Sequence, residues 1–289
     1  MSATARDLAT SPDRVVIPRP DERRGGFIKD TWIIVRRSLI HIKRVPENLT
    51  DATIQPIMFT LLFAFVFGGA IAVGADGDGY KEFIIGGIFA QTIAFACFGV
   101  AITIANDRTN GGADRFRSLP MASGSYLAGV AVANLIRTLI PLTFMSLAGL
   151  LVGWRIREGA LNALGGYALM LIFAFAMIWI GVLLGAALPS AQAVQGVAFV
   201  VIFPITFIAS TFVPADTLPP VLRTIAEWNP ITTLAESVRI QFGNPVTPVG
   251  PDAPWSLQNP ALYTIIWAVA ITAVVAPIAV RVFKRSIQD

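Results

Sequence analysis

Six stretches of the chain are long, apolar and free of aspartate and glutamate, and they limit its fold more than any other feature. They cover residues 54–75, 83–105, 126–152, 164–188, 191–213 and 261–283. A helix needs roughly 20 apolar residues to cross a hydrocarbon core of about 30 Å. The chain is 55% hydrophobic and only 14% charged, whereas about 25% of the residues of a soluble domain are charged. The sequence therefore predicts an all-α polytopic membrane protein with six transmembrane helices.

Lysine and arginine are distributed unequally between the two sides that this topology defines. With the N-terminus inside, sixteen basic residues fall on the cytoplasmic side and five on the opposite side, Arg239 among them. Cytoplasmic loops carry the excess of Lys and Arg, so both termini are predicted to be cytoplasmic in a bacterial-type plasma membrane. Because the basic residues lie beside apolar stretches, we expect no nucleic-acid partner. Residues 1–26, polar and rich in Arg and Pro, are predicted to be a disordered cytoplasmic tail.

An amphipathic segment at 27–45 precedes the first predicted span. Five of its apolar residues recur at helical spacing on one face: Ile28, Trp32, Val35, Leu39 and Ile42. Four basic residues lie away from that face: Arg36, Arg37, Lys43 and Arg44. This pattern is typical of an interfacial helix on an anionic inner leaflet, and Pro46 ends the helix. The alternative is that the segment is only a basic flank to the first span.

The predicted cytoplasmic loop 106–120 contains one aromatic residue among charges. Two glycines break the chain, and residues 113–119 form a predicted short helix that Pro120 ends. Phe116 stands between Arg115 and Arg117, an arrangement that suggests a docking site for a protein partner. The alternative is ordinary orientation charge, with Phe116 dipping into the lipid boundary.

The stretch 214–260, predicted to lie on the external side, holds two apolar pieces that are too short to cross a bilayer. They cover residues 221–228 and 231–242 and are separated by Asn229 and Pro230. Both are predicted to be re-entrant or interfacial helices, because non-helical backbone at membrane depth has to be buried in protein or line a cavity. Residues 243–260 contain five prolines and are predicted to form an irregular external loop.

The sequence lacks the residue patterns that would let this chain power transport by itself. ATP hydrolysis needs a phosphate-binding loop with a Gly-Lys pair, and no such pair occurs. Proton-coupled carriers place Asp, Glu or His in their spans, and the six predicted spans have none. One cysteine, Cys97, and one histidine, His41, leave little scope for a metal site or for histidine catalysis. We therefore expect no enzyme activity and no cofactor in this chain, and an energy source in another chain.

Three segments together resemble the type-2 ABC exporter permeases, specifically the daunorubicin-resistance-type exporters, and the resemblance covers about residues 27–285. The helix at 27–45 lies where that family has its connecting helix. The loop sequence GGADRFRSLPM is similar to the family's coupling helix, with Asp114 before the basic and apolar residues. The stretch LPPVLRTIAEWNPITTLAESVR is similar to the family's external re-entrant segment. Its residues of interest are Trp228, Asn229, Pro230 and Arg239.

The resemblance implies that residues 27–289 form one ABC-2 type transmembrane domain. Two such permeases, identical or sister subunits, would surround a central path for a hydrophobic or amphipathic drug or lipid. Two cytosolic ABC ATPase subunits, which bind ATP and Mg²⁺, would contact the coupling loop and pull on it to open the path outward. The implied contact residues are Asp114, Arg115, Phe116, Arg117 and Pro120. The family's coupling region often begins Glu-Arg-Glu, whereas this chain has Asn106, Asp107 and Arg108, so the docking contacts are expected to differ in detail.

Arg137 is the one basic residue far from the edge of a predicted span. A charge there costs at least about 2.5–3.5 kcal/mol on insertion scales. It either faces the translocation path and attracts anionic substrate groups, or reaches the inner interface or a carbonyl of a neighbouring helix. Two other functions stay open for the whole chain. One is a membrane scaffold or assembly factor that docks a cytosolic protein without transport, and the other is a secondary carrier, which the acid-free spans disfavour.

Overall fold

The computed structural model describes residues 26–44, 47–67, 79–109, 124–247, 250 and 253–286. Over these ranges the structure is helical without strands, which confirms the predicted all-α class. The helices are α1 (Phe27–Arg44), α2 (Glu47–Leu62), α3 (Gly79–Thr109), α4 (Ser125–Val152), α5 (Gly159–Ala187), α6 (Ala191–Ile208), α7 (Pro220–Glu227), α8 (Pro230–Phe242), α9 (Trp255–Gln258) and α10 (Pro260–Ser286). The predicted tail, apart from Gly26, and most of the predicted coupling loop lie outside the described residues.

Five helices are long and apolar enough to cross a membrane, namely α3, α4, α5, α6 and α10. They coincide with five of the six predicted spans to within five residues at each end. The first predicted span, 54–75, corresponds to the shorter apolar helix Ile54–Val66, whose last turns are π-helical over Phe63–Phe67. Residues 68–75 lie outside the described part, so a sixth full span stays a prediction.

The helix bundle has two ends, and different helices contact each other at each of them. At one end, Thr264 in the first turns of α10 contacts Thr233 of α8, with 3.0 Å between the hydroxyl oxygens. At the other end, Tyr126 at the start of α4 stacks on Phe283 near the end of α10, with ring centroids 5.5 Å apart. We call these the α8 end and the α1 end, because α1 packs on α4 beside Tyr126 through Ile34.

The helices α3 and α5 approach each other closely through small residues. A Cβ atom at Gly181 would lie 2.2 Å from the Cys97 carbonyl oxygen, and one at Gly185 would lie 2.5 Å from that of Ala101. Small residues four positions apart let membrane helices pack backbone against backbone. This contact forms the centre of the bundle between the two ends.

The amphipathic face of α1 differs from the predicted one. Val35 of the predicted face is buried, but so is its neighbour Ile34, whereas Ile28 and Trp32 are 83% and 61% exposed. The reason is local: a Cβ atom at Gly129 of α4 would lie 2.5 Å from Cβ of Ile34, so this glycine admits Ile34 into the contact. The predicted face is thus divided between contact with α4 and an exposed apolar surface.

The two predicted short helices of the 214–260 stretch are both present, as α7 and α8. They differ in burial. α8 lies in the core against α3, α5 and α10, while the apolar side chains of α7 and its C-terminal end are exposed: Val221, Leu222, Ile225 and Trp228. An apolar face left uncovered on a short helix is typical of contact with the membrane interface, and an interfacial position for α7 stays a prediction.

Candidate functional site

A cavity of about 780 Å³ lies between α2, α3, α4 and α6. Its wall includes five aromatic side chains: Phe59, Phe95, Phe98, Phe199 and Phe203. Eight uncharged polar side chains share the wall on the helices: Gln55, Gln91, Thr92, Thr103, Asn106, Asn134, Thr138 and Gln195. The cavity is therefore amphipathic, and its volume is in the range of sites for drug-sized molecules, roughly 300–1,000 Å³.

Four of these polar side chains are bonded to their own helix. Thr92, Thr103 and Thr138 each donate to the carbonyl four residues earlier, at 2.7–2.9 Å. Asn134 donates to the Val130 carbonyl at 2.9 Å. Gln91 differs from them: it is 2% exposed, and its Nε2 has no hydrogen-bond partner among the described residues. Buried amide groups are rarely left in that state.

Arg137, in the middle of α4, lines the same cavity. Its side chain is half-buried, and its Nη1 lies 3.8 Å from the point where Gly99 of α3 would carry a Cβ. The guanidinium of Arg137 therefore lies close to α3 at Gly99. Asp107 lines the cavity nearer the α1 end. Its Oδ2 accepts a hydrogen bond from the Tyr126 hydroxyl at 2.5 Å.

Asn229 and Pro230 begin α8 for an identifiable reason. The Asn229 side chain accepts from the Ile231 amide at 2.9 Å, which caps the helix, and Pro230 occupies the first position, where no amide proton is needed. The Asn229 Nδ2 also donates to the Ile205 carbonyl at 2.9 Å, which ties α8 to the end of α6. The Trp228 carbonyl accepts from the Tyr263 hydroxyl of α10 at 2.9 Å.

Arg239, near the end of α8, is fully buried and is the centre of a polar network. Its Nε donates to the Phe83 carbonyl of α3 at 2.9 Å, and its Nη2 donates to the Ser210 carbonyl at 2.9 Å. Its Nη1 pairs with Glu236 at 2.9 Å. The guanidinium carbon also lies 3.5 Å above the Phe83 ring, a favourable cation–π position. Burial lowers the pKa of the Arg239 guanidinium, and the Glu236 charge opposes that shift.

The carboxylate of Glu236 extends this network into the chain that follows α8. Its Oε1 accepts from the Thr247 hydroxyl at 2.6 Å, and its Oε2 accepts from the Thr247 amide at 3.2 Å. Each guanidinium nitrogen of Arg239 and both carboxylate oxygens of Glu236 therefore have a hydrogen-bond partner, and such additional bonds are the condition under which a buried ion pair is tolerated. In the sequence, Arg239 was counted among the basic residues of the external side and named as part of the re-entrant segment, and the structure places its side chain in the core. Glu236 was missed, although its i, i+3 spacing from Arg239 is the signal for such a pair.

The segment predicted as the coupling loop is flanked by two side chains at the end of α3. Asp107 binds Tyr126, as described, and so brings the two sides of the loop together. Arg108 Nη1 donates to the carbonyls of Ala186 and Leu188, at 2.8 and 3.1 Å, where α5 ends. These carbonyls have no partner within the helix, and a cation there is favourable.

The predicted site residues thus fall into two groups. Trp228, Asn229, Pro230 and Arg239 come together around α8, and Arg137 lies apart from them in the cavity. The predicted docking residues all lie outside the described part of the chain: Asp114, Arg115, Phe116, Arg117 and Pro120. Among the described residues, no group of three His, Cys, Asp or Glu side chains is placed to hold a metal ion.

Comparison with known families decides what kind of protein contains this bundle. The family described as "ABC-2 type transporter" matches residues 29–242. The chain belongs to this family. It is a multi-pass membrane protein and a permease of the type-2 ABC class, as the resemblance of its sequence indicated. The matched residues include α1, the cavity and all of α8.

Several curated relatives of this ABC-2 permease are similar over most of its length. The daunorubicin resistance ABC transporter permease DrrB1 of Streptomyces coeruleorubidus is 28% identical over 216 residues, 75% of this chain and 76% of that protein. A probable doxorubicin resistance ABC transporter permease, DrrC of Mycobacterium tuberculosis, is 24% identical over 290 residues and 99% of each chain. The putative transport permease ycf38 of Cyanophora paradoxa is 25% identical over 220 residues, 75% of this chain and 76% of that protein.

Proposed function

We propose that this chain is the permease subunit of an ABC exporter that moves a hydrophobic or amphipathic drug or lipid outward. A separate ATPase subunit, which binds ATP and Mg²⁺, supplies the energy, and this chain performs no hydrolysis. One observation carries the proposal: a drug-sized amphipathic cavity lies among the helices of an ABC-2 permease. Two of its curated relatives are named as resistance permeases for daunorubicin and doxorubicin, and this supports a drug or a similar molecule as the cargo.

The cavity is part of a path that a second permease completes. Next to the cavity, α6 presents exposed apolar side chains at Phe199, Val200 and Val201, with 67%, 75% and 48% of their surface accessible. Phe199 itself lines the cavity, so a partner that covered α6 would enclose the cavity as well. A homodimer or a pair with a sister permease satisfies this requirement, because either supplies an apolar helix to cover that face.

The proposed membrane orientation places the α1 end in the cytoplasm and the α8 end outside. Arg36 and Arg37 of α1 are exposed at the α1 end, where they favour the anionic inner leaflet, and the basic residues of the sequence concentrate on the same side. Reporters fused after Gly112 and Asp289 should then report the cytoplasm, and a reporter after Arg157 the outside. A cytoplasmic signal from the Arg157 fusion would contradict this orientation.

The ATPase is proposed to dock on residues 113–120, with Phe116 as the apolar anchor and Arg115 and Arg117 as its charged rim. The loop then pulls on α3 and α4, which it joins, and Arg108 passes the movement to the end of α5. Movement of α3 and α4 changes the cavity directly, because both helices form its wall. The loop thus transmits a movement of the ATPase mechanically to the helices that line the path.

The test is co-purification with a co-expressed ABC ATPase, together with ATP-driven efflux from proteoliposomes. A buried aromatic anchor typically costs about 2 kcal/mol or more when truncated, and rim charges cost much less. We therefore expect Phe116→Ala to reduce both the recovered ATPase and the efflux at least tenfold, and Arg117→Ala to reduce them only slightly.

The two variants are compared at equal membrane expression, so that insertion is controlled. A silent Phe116→Ala would exclude docking at this residue. Efflux by this chain alone, in vesicles without ATP, would contradict the dependence on an ATPase. Recovery of the ATPase without any efflux would instead identify a membrane scaffold.

A further inference from the structure

We propose that α6 is a hinged wall of the cavity and that Arg108 is the residue that positions it. The hinge is a π-helical segment in the middle of α6, Ala198–Ile202, which contains the cavity residue Phe199. The proposal rests on the proposed function, because it names the part of the cavity wall that moves when the ATPase acts on the docking loop. Three features of α6 carry it: two attached ends, an irregular middle and the position of Phe199.

The start of α6 is attached to the end of α3. Arg108 Nη1 donates to the carbonyls of Ala186 and Leu188, at 2.8 and 3.1 Å, and α6 begins three residues after Leu188. Val194, in the first turns of α6, is fully buried and belongs to one apolar cluster with Ala105 of α3. A movement of the end of α3 is therefore passed to the start of α6 through one charged contact and one apolar contact.

The end of α6 is attached to α8 instead. The Ile205 carbonyl accepts from Asn229 Nδ2 at 2.9 Å, and the Ser210 amide, two residues after α6 ends, donates to Oγ1 of Thr232 at 3.0 Å. The helix α6 thus runs from the α1 end of the bundle to the α8 end and is bonded to a different part of the molecule at each. When these two parts move relative to each other, α6 has to absorb the difference.

The π-helical segment is the part of α6 that can absorb it. Sharp bends in helices occur at π-helical turns and at prolines, and Pro204 follows the segment by two residues and has no amide proton to donate to the preceding turn. Phe199 and Val200 are 67% and 75% exposed, so the rest of this chain restrains the segment little. A hinge consists of a few such residues that absorb a change of backbone angle.

The hinge acts on the cavity because of where Phe199 lies. The walls that α3 and α4 form are α-helical throughout, and a second π-helical segment, Phe63–Phe67 of α2, begins after Phe59, the last residue of α2 that lines the cavity. The Phe199 ring is 6.1 Å from that of Phe203, which is 6.5 Å from that of Phe95 on α3. A bend within the segment moves Phe199 relative to these two rings and so changes the shape of the cavity.

Distances between two spin labels show whether Phe199 moves independently of the end of α6. One label is placed by Val269→Cys on α10, and the other by Phe199→Cys or by Phe207→Cys, beyond the hinge; all three positions are exposed. The natural Cys97 is replaced by serine, whose hydroxyl can make the same bond to the Ala94 carbonyl. Distances are measured by double electron–electron resonance in nanodiscs, with labelled chain diluted in unlabelled chain so that distances between copies do not contribute. We expect a broader distribution from position 199 than from position 207.

Substitutions at the start of α6 test the role of Arg108. Arg108→Gln should shift the distance from position 199 by about 2 Å or more, the scale of functional helix shifts, and leave the distance from position 207 unchanged. Arg108→Lys keeps a cation for the same carbonyls and should restore most of the original distribution. Val194→Ala weakens the apolar contact of the same end and should act in the same direction as Arg108→Gln. The control is Arg36→Gln, which removes an exposed positive charge at the α1 end and should change neither distance.

Removing the π-helical turn should uncouple transport in the complex with the ATPase. A π-helical hydrogen bond spans one residue more than an α-helical one, so deletion of Val200 lets an α-helix continue through the segment. We expect the deletion to keep the recovered ATPase within about twofold and to lower efflux at least about tenfold, because hinge residues set the rate of a conformational step. Gly196→Ala stiffens α6 outside the segment, where nothing lies within 4 Å of the added Cβ, and should leave efflux unchanged.

Several results would overturn the proposal. Equally broad distributions from positions 199 and 207 would refute the hinge, even if Arg108→Gln did not fold. Unchanged distances in both Arg108→Gln and Val194→Ala would refute the positioning role of Arg108, and full efflux by the Val200 deletion would refute the role of the hinge in transport. The distance measurements contain no ATPase, so a chain that shows the hinge but recruits no ATPase would refute the proposed function alone. A chain that exports with an ATPase but shows no hinge would refute this inference alone.

Discussion

The two ends of the bundle are held together by different kinds of contact. At the α8 end, one connected polar network joins α3, α8, the residues after α6 and the chain beyond α8 through Arg239 and Glu236. At the α1 end, Asp107 bonds to Tyr126 and Arg108 bonds to the last carbonyls of α5, and these contacts lie beside an apolar cluster. The members of a connected network around a buried ion pair depend on one another.

Further hydrogen bonds tie the α8 end together. The α8 end also encloses Trp154, whose Nε1 donates to Asn244 at 2.6 Å, while Asn244 donates to the Arg155 carbonyl at 2.9 Å. These bonds hold the connection between α4 and α5 against the end of α8. The α1 end carries the flanks of the predicted docking loop. We therefore expect the transport cycle to move the α1 end around a fixed α8 end.

The strongest test of the fixed end is to remove the charge at its centre. Arg239→Met leaves the Glu236 carboxylate buried without its cation, and breaking a buried pair in this way costs about 3–5 kcal/mol. We expect the variant to unfold at a much lower denaturant concentration in mixed detergent micelles, or to fail to accumulate. The double variant Arg239→Met with Glu236→Leu removes both charges and should recover part of the loss.

The matched control is the surface ion pair between the exposed Arg223 and the partly buried Glu227 on α7, 2.7 Å apart. Arg223→Gln should not change stability measurably, because exposed pairs contribute little. An Arg239→Met variant as stable as Arg223→Gln would mean that the polar network does not hold the α8 end, and the contrast between the two ends would be lost.

The spans and short helices of this fold were predictable because they depend on local composition. Five long helices follow from apolar length alone, and α8 begins where Asn229 and Pro230 predict a helix start. The polar network was not predictable. Arg239 bonds to Phe83, which is 156 residues away in the chain, and no local pattern distinguishes such an arginine from an exposed orientation charge.

The cavity could not be predicted from the sequence either, because its wall is formed by helices that are distant in the chain. Gln91 is a single amide within an apolar run and has no periodic partner, so only the packing of four helices shows that it borders a space. Arg137 was identified because a charge inside a span is costly, but the sequence left its direction open. The docking role of Phe116 stays a prediction, since the residue lies outside the described part of the chain.

A substitution at the centre of the bundle should have an intermediate effect on stability, because the contact there is between helix backbones. Gly181→Ala would place a Cβ atom 2.2 Å from the Cys97 carbonyl oxygen, so α3 and α5 would have to separate. Forcing extra volume into a packed core typically costs about 1–3 kcal/mol. Gly196→Ala is the control, since nothing lies within 4 Å of its added Cβ, and it should be neutral or slightly stabilising.

Both variants are compared with the unmodified chain by reversible unfolding in mixed micelles and by ATP-driven efflux. If Gly181→Ala is as stable as Gly196→Ala, the helices are not held by close backbone contact, and the bundle is looser than the distances indicate. If it is destabilised as much as Arg239→Met, the α8 end is not distinct in strength from the centre.

The smallest expected effect on stability gives the most direct comparison of the two ends, because one hydroxyl group is removed from each. Tyr126→Phe removes the bond to Asp107 at the α1 end, and Tyr263→Phe removes the bond to the Trp228 carbonyl at the α8 end. Each should cost about 1 kcal/mol of stability, the usual net value of a hydrogen bond.

Their effects on transport should differ. Tyr126→Phe releases the base of the docking loop, so more ATP should be hydrolysed for each molecule exported. Tyr263→Phe acts on the end that does not move, and its ratio of ATP to export should stay that of the unmodified complex. The measurement is efflux and ATP hydrolysis in the same proteoliposomes. A change in that ratio for Tyr263→Phe, or equal ratios for both variants, would show that the cycle does not divide the molecule into a moving end and a fixed end.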